Sequence, residues 1–244
     1  MPEGHTIRHC AVEHTRLFAG QRVAVSSPQG RFADATAVDG ARFVGADAWG
    51  KHLFHEYDGE RFVHVHLGIY GTFTSHPLPP PEPRSTTRMR IIGRNVAVDL
   101  VGPNTCELLD TAGRDAVVAR LGPDPLRDDA DPERAWAALQ RRRVPIGQAM
   151  LDQTIIAGIG NVFRAEALFT HGISPTRPAN ELTRAEFDAI WHTLRELLRL
   201  GVEEQRISTR NVYRSETCPT CGTPIRRWDM AGRWAYACPA CQPT

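Results

Sequence analysis

Apolar side chains at Ile7, Ala11, Leu17 and Phe18 fall on roughly one face of a helix over residues 4 to 19, and Gly20 stands at the usual C-terminal stop. From 21 to about 118 the pattern shortens. Runs such as RFVHVHLGIYGTF (61–73) and MRIIGRNVAVDLVG (89–102) are rich in Val, Ile and Phe and predict strands, so the first half reads as mostly β. The stretch HPLPPPEPRSTT (76–87) cannot hold a ladder of hydrogen bonds and reads as a long exposed loop. LGPDPL (121–126) breaks this texture, and helical signals follow. Asp131-Pro132 forms a cap and first turn ahead of ERAWAALQRRR. Thr183 and Glu186 make a capping box before Phe187, Ile190, Trp191, Leu194, Leu197 and Leu198, one buried stripe of a long final helix with Gly201 near its end. Between these helices, DQTIIAGIGNVFRAEALF (152–169) is punctuated by Gly158 and Gly160, and a helix resumes at about Asn161.

A chain of 244 residues fits two modest domains, or one large domain with an accessory module. With 41% hydrophobic and 23% charged residues the composition is that of a globular protein, and no apolar run approaches the ~18 residues of a membrane span. The start, MPEGHTIRHC, lacks the pattern of a secretory signal, so a cytoplasmic, reducing setting is expected and the six cysteines read as thiols rather than three disulfides. A net charge of +1 argues, as an average, against a nucleic-acid partner. Location changes that reading, because residues 205–244 hold six arginines against Glu216 and Asp229. Lys51 is the only lysine in the chain.

Cys218-x2-Cys221-x16-Cys238-x2-Cys241 has the spacing of a four-thiolate structural zinc site on two knuckles. The segment between the pairs reads as a β-hairpin with Met230-Ala231-Gly232 at its tip, presenting Arg233. The basic tail around it suits phosphate, although a solvated arginine face would look the same. Cys10 and Cys106 read as ordinary buried thiols. Gly158-Ile159-Gly160-Asn161 before a helix offers backbone N–H groups to an anion, or is a structural turn capped by Asn161.

Removal of Met1 would leave Pro2 as a secondary amine, whose α-amino group titrates near neutrality and whose attack on an aldehydic carbon gives a cationic iminium. Glu3 beside it could serve as acid and base, or simply start a helix. Lys51, in AWGKHLF, is a compact ammonium suited to holding one phosphate, or a snorkelling surface cation. Ile69 and Tyr70, between glycines in LGIYG, read as an exposed wedge for a base stack or as core.

In order along the chain, PEGHT, GKHLF, HLGIYG, LGPDPL, DQTIIAGIGNVFRAEALF and GRWAYACPACQ resemble the formamidopyrimidine glycosylase and endonuclease VIII family of DNA repair enzymes over nearly the whole length. Gly4 after Pro2-Glu3 is similar to the endonuclease VIII branch, which prefers oxidised pyrimidines. The resemblance implies an α+β fold of two domains: an N-terminal helix plus β-sandwich over 1–121, and a helix-two-turn-helix domain over 122–210 with a β-hairpin zinc finger over 211–244. DNA would lie in the cleft between them. It implies a bifunctional glycosylase and AP lyase of base excision repair, with Pro2 attacking C1′ and Glu3 moving protons through β- and δ-elimination. Lys51, Asn161 and Arg233 match phosphate-gripping positions, Lys51 and Arg233 being counted with the catalytic set, and Ile69 and Tyr70 match the loop that fills the void left by the flipped nucleotide.

Two sites depart from the family pattern: the pair His5-Thr6 stands where many members have Pro-Glu, and Gly68 where endonuclease VIII relatives often place a polar residue. The expected partners are damaged double-stranded DNA and one structural Zn2+, without a redox or nucleotide cofactor or a membrane, for a monomer working at the nucleoid. A non-enzymatic zinc protein that binds damaged DNA is the rival. An N-terminal-proline tautomerase would need neither finger nor basic tail.

Overall fold

The computed structural model describes residues 2–205, 207 and 210–244. The chain divides into two compact units, Met1–Arg120 and Leu121–Thr244.

In the first unit α1 (Gly4–Phe18) lies against two four-stranded antiparallel sheets. One sheet runs β1 (Ala24–Ser26), β6 (Thr87–Ile92), β7 (Val96–Val101), β5 (Thr72–Pro77). The other runs β2 (Phe43–Trp49), β3 (His52–Tyr57), β4 (Arg61–His66), β8 (Thr105–Leu109). Their inner faces share one core: Val25, Ile91 and Leu100 from the first sheet meet Leu53, Val63 and Val65 from the second, and Ile7, Ala11 and Phe18 of α1 close it. This is a β-sandwich with an N-terminal helix, as the resemblance implies. A short helix α2 (Ala35–Val38) follows β1.

The run 61–73 is not one strand. It divides into β4 and β5, which belong to different sheets, and Leu67–Gly71 is the crossing between them. The mostly-β texture also hid a helix, α3 (Thr111–Val118), whose first turn is capped by the Asp110 side chain accepting the Gly113 N–H at 2.7 Å. Val117 of α3 covers Phe54 and Phe62 on the outer face of the second sheet.

The second unit is helical, then a hairpin. Helices α4 (Pro132–Leu139), α5 (Ile146–Ala149), α6 (Asn161–Thr170) and α7 (Arg184–Glu204), with a single 3-10 turn at Ala179–Glu181, enclose a core that includes Ile156, Phe163, Phe187 and Leu194. The Thr183–Glu186 capping box is present, and α7 ends at Gln205 in the left-handed conformation (φ 58°). Gly201 is therefore inside the helix and buried. The chain closes with the antiparallel hairpin β9 (Arg226–Met230) and β10 (Arg233–Ala237), turned by Ala231 (φ 52°) and Gly232 (φ 77°). Among the described residues no helix is long and apolar enough to cross a membrane.

Candidate functional site

Glu3 is the residue before α1, extended at φ −121° and ψ −178°, with its carbonyl accepting the Thr6 N–H at 3.0 Å. Its side chain is fully buried and Pro2 is half-buried. The first turn of α1 contains no acidic residue, so the positive end of the helix acts on Pro2 and Glu3 themselves. That field favours negative charge at this end of the helix. His5 is buried in the same turn, and burial, with the charge of His9 adding, pulls its pKa down to about 4. At neutral pH it brings no charge.

Lys51 is the second residue of a two-residue turn between β2 and β3, in which Trp49 pairs with His52 and Gly50 takes φ 57°. Asp47 ties this end of β2 to the helix, accepting from Arg8 at 3.2 Å and from the Trp49 indole at 3.1 Å. Outside the sandwich core, a row of histidines runs up to the turn. His52 Nδ1 and His64 Nε2 share a hydrogen bond of 2.8 Å, and His64 Nδ1 bonds Glu107 Oε1 at 2.9 Å. The His66 ring is 5.0 Å from that of His52. Burial lowers the pKa of His52 to about 3, with the charges of His64, His66, Arg120 and Lys51 adding. Burial, then His64 and Lys51, lowers that of His66. The Lys51 ammonium thus belongs to one electrostatic group with neutral imidazoles, a neighbourhood the sequence reading missed although the alternating His64-Val65-His66 signals it.

Leu67–Gly71 is a closed loop, with the Gly71 N–H on the Leu67 carbonyl at 2.9 Å. At its tip Ile69 is 49% and Tyr70 84% exposed, so the core reading of this pair does not hold. Gly68 sits at φ 67°, a conformation that favours glycine, and a Cβ there would displace the exposed Asn104 side chain.

In the second unit Gln153 braces the glycine turn: its Nε2 donates to the carbonyls of Leu151 (2.9 Å) and Ile159 (3.0 Å), and its Oε1 accepts the Gly158 N–H at 3.0 Å. The N-cap of α6 is Gly160, not Asn161. Asn161 instead turns to the hairpin, donating from Nδ2 to the Trp234 carbonyl at 2.9 Å and accepting from Arg164. Arg164, buried, donates to the same carbonyl at 2.7 Å and to Gly147 at 3.1 Å. Asn161 is thereby joined to the residue following Arg233, which is exposed at the start of β10.

Cys218, Cys221, Cys238 and Cys241 bring their sulfurs within 4.8 Å of one another. The closest separations are 3.5 Å (221–238), 3.6 Å (221–241) and 3.8 Å (218–241). Four thiolates at about 2.3 Å from one tetrahedral ion stand about 3.8 Å apart, so the donor set fits a single metal ion.

Residues 1–103 match the formamidopyrimidine-DNA glycosylase N-terminal domain and residues 121–212 the formamidopyrimidine-DNA glycosylase H2TH domain. Endonuclease 8 1 of Mycobacterium tuberculosis is 47% identical over 99% of this chain and 100% of its own length. The chain belongs to the formamidopyrimidine-DNA glycosylase and endonuclease 8 family. Endonuclease 8 2 of Mycobacterium bovis, at 36% identity over 99% of this chain and 100% of the relative, is a further member of similar length. A Lactococcus lactis Fpg in complex with DNA containing an abasic site has the same fold, with a TM-score of 0.88, 21% identity and coverage of 99% of this chain and 100% of that one. Within this glycosylase family frame, the structure unites Pro2 with Glu3, and Asn161 with the hairpin that carries Arg233. Lys51 lies in the turn that joins the strand pair against which α1 packs.

Proposed function

We propose that this chain excises oxidised bases, pyrimidines in preference, through an iminium formed by Pro2. It is a DNA glycosylase and AP lyase of base excision repair, and the proposal concerns how it works. The observation that carries it is the placement of Pro2 and a fully buried Glu3 at the positive end of α1.

With Met1 removed, the Pro2 nitrogen attacks C1′ of a flipped nucleoside; the glycosidic bond breaks and the base departs with a proton. Glu3 protonates the ring oxygen as the sugar opens to the iminium. Loss of a C2′ proton then expels the 3′ phosphate, and a second elimination expels the 5′ phosphate. Lys51, Asn161 and Arg233 grip backbone phosphates, and Ile69 and Tyr70 occupy the vacated stack. Zn2+ held by Cys218, Cys221, Cys238 and Cys241 would supply a cross-link and no reaction step. The protein acts at the nucleoid as a monomer without a redox or nucleotide cofactor, with catalytic, helical and finger segments at 1–121, 122–210 and 211–244.

Borohydride added during incubation with duplex DNA carrying an oxidised pyrimidine should fix a covalent adduct on the peptide that begins with Pro2. Strand cleavage by a protein that retains Met1, or an adduct mapped elsewhere, would overturn the iminium assignment. Binding of damaged DNA without an adduct or cleavage would favour the non-enzymatic rival.

A further inference from the structure

The hairpin has two faces, and Arg233 uses only one. In its register Trp234 pairs with Asp229 and Tyr236 with Arg227, which puts Trp234, Tyr236 and Arg227 on the face opposite Arg233. There they line an open groove of about 620 Å3 together with Arg214 and Ile225, in the range of about 300–1,000 Å3 typical of ligand sites. Tyr236 packs edge-on against Tyr213 at 5.1 Å and forms part of a buried cluster. Trp234, in contrast, is 50% exposed, unusual for so large an aromatic ring.

The guanidinium groups around this groove are arranged over rings. Arg227 lies 4.5 Å from the centre of Trp234, and Arg214 and Arg210 lie 5.4 Å and 6.0 Å from that of Tyr213. Two arginines elsewhere in the unit are matched by carboxylates, Arg177 by Glu186 and Arg184 by Glu133. Here Glu216 is the one carboxylate among the lining residues, and Asp229, beside Trp234 on the same face, accepts the Gly232 N–H of the turn. A half-exposed indole beside planar cations that outnumber the lining carboxylate two to one suits a ligand that offers both a π-surface and an anion in each repeat.

We infer that this groove binds unpaired nucleotides of a DNA strand, a base stacking on Trp234 and the flanking phosphates meeting Arg214 and Arg227. Such a surface would be separate from the Arg233 face and would extend the substrate class to strands with unpaired segments. The inference rests on the DNA-repair reading above for its choice of ligand. Stacking platforms of this kind are tolerant of base identity, so affinity would depend on strand length and salt more than on sequence.

The test titrates the metal-loaded protein with a twelve-residue oligothymidylate, an abasic oligomer of the same length, and a lesion-bearing duplex. Oligothymidylate should quench tryptophan fluorescence, and Trp234→Ala should weaken its binding about tenfold while changing duplex affinity by less than about twofold. Trp234→Phe should retain most of the affinity and lose the quench. The abasic oligomer should bind the wild type about tenfold more weakly than oligothymidylate and should not distinguish it from Trp234→Ala. Main-chain bonds from Asn161 and Arg164 hold residue 234 whatever its side chain, so the variants keep the hairpin, and metal content checks this. Equal weakening for strand and duplex, equal affinity for thymidylate and abasic oligomers, or equal quenching by an acidic peptide would overturn the inference. Failure of borohydride trapping would sink the catalytic reading and leave the groove titration standing.

Discussion

The sandwich and the C-terminal hairpin hold their candidate functional side chains by opposite means. The sandwich holds Glu3 and Lys51 on a large apolar core, from Ile7 and Phe18 through Leu53 to Ile91. The hairpin region has only a small apolar cluster of its own and is clipped by buried polar groups. Glu166, buried in α6, accepts backbone N–H groups of Asn211 (2.7 Å), Val212 (3.1 Å) and Tyr213 (2.9 Å). Gln242 donates to the Ile173 carbonyl at 2.8 Å and accepts the Cys238 N–H at 3.1 Å. Apolar burial is non-directional and tolerates small shifts, whereas clips and a metal are directional and fail abruptly. The sandwich should therefore be insensitive to chelators and oxidants, and the hairpin sensitive to both.

Metal removal separates the two regions most strongly. Structural zinc sites carry about 10–16 kcal/mol of binding energy, so chelation or Cys218→Ser should abolish DNA binding while amide exchange in residues 4–109 stays slow. Faster exchange in the sandwich would show that the regions are not independent. The reverse experiment is Leu53→Ala, which should cost the sandwich about 3–4 kcal/mol by opening a cavity, with metal content unchanged.

Acid should also act on the sandwich. His14 and His55, both buried, share a hydrogen bond of 2.8 Å between α1 and β3, against Phe18, Phe43 and Phe73. Burial lowers the pKa of His14 from 6.5 to about 4, with the Glu13 carboxylate opposing and His9 adding, and holds that of His55 well below its usual value, with His14 adding. The unfolded chain therefore binds more protons in this range. The stability gained by burying neutral rings is fully present above about pH 6.5 and is lost as pH falls toward about 4, by about 3 kcal/mol for His14. Sandwich stability measured across that window should slope, and His14→Leu should flatten the slope. The smallest effect is expected from Glu166→Gln, which keeps the shape but weakens four charge-assisted bonds, for about 2 kcal/mol confined to the second unit.

Elements with local signals were legible in the sequence. Capping boxes, Asp131-Pro132 and the CxxC pairs each specify their geometry within a few residues, and the structure reproduces the capped helices and the cysteine cluster. Features that depend on which surface a strand faces were not legible. The division of 61–73 into two sheets has no local marker beyond its glycines, because Val63 and Val65 read alike in one long strand or in two short ones. The histidine row gains its meaning only when β3, β4 and β8 align His52, His64 and Glu107. Asn161 shows the limit at single-residue scale: a helix-cap signature in sequence became a tether to the hairpin, because Gly160 took the cap.

The loop Leu67–Gly71 is held by its frame rather than by its tip. A Cβ at Gly71 would meet the Leu67 carbonyl oxygen at 2.3 Å, so that position admits glycine alone, while Ile69 and Tyr70 touch little and face solvent. Selection is therefore free to exchange the two protruding side chains without refolding the segment that displays them. What the loop presents can therefore change at these two positions while Gly71 keeps the frame that presents it.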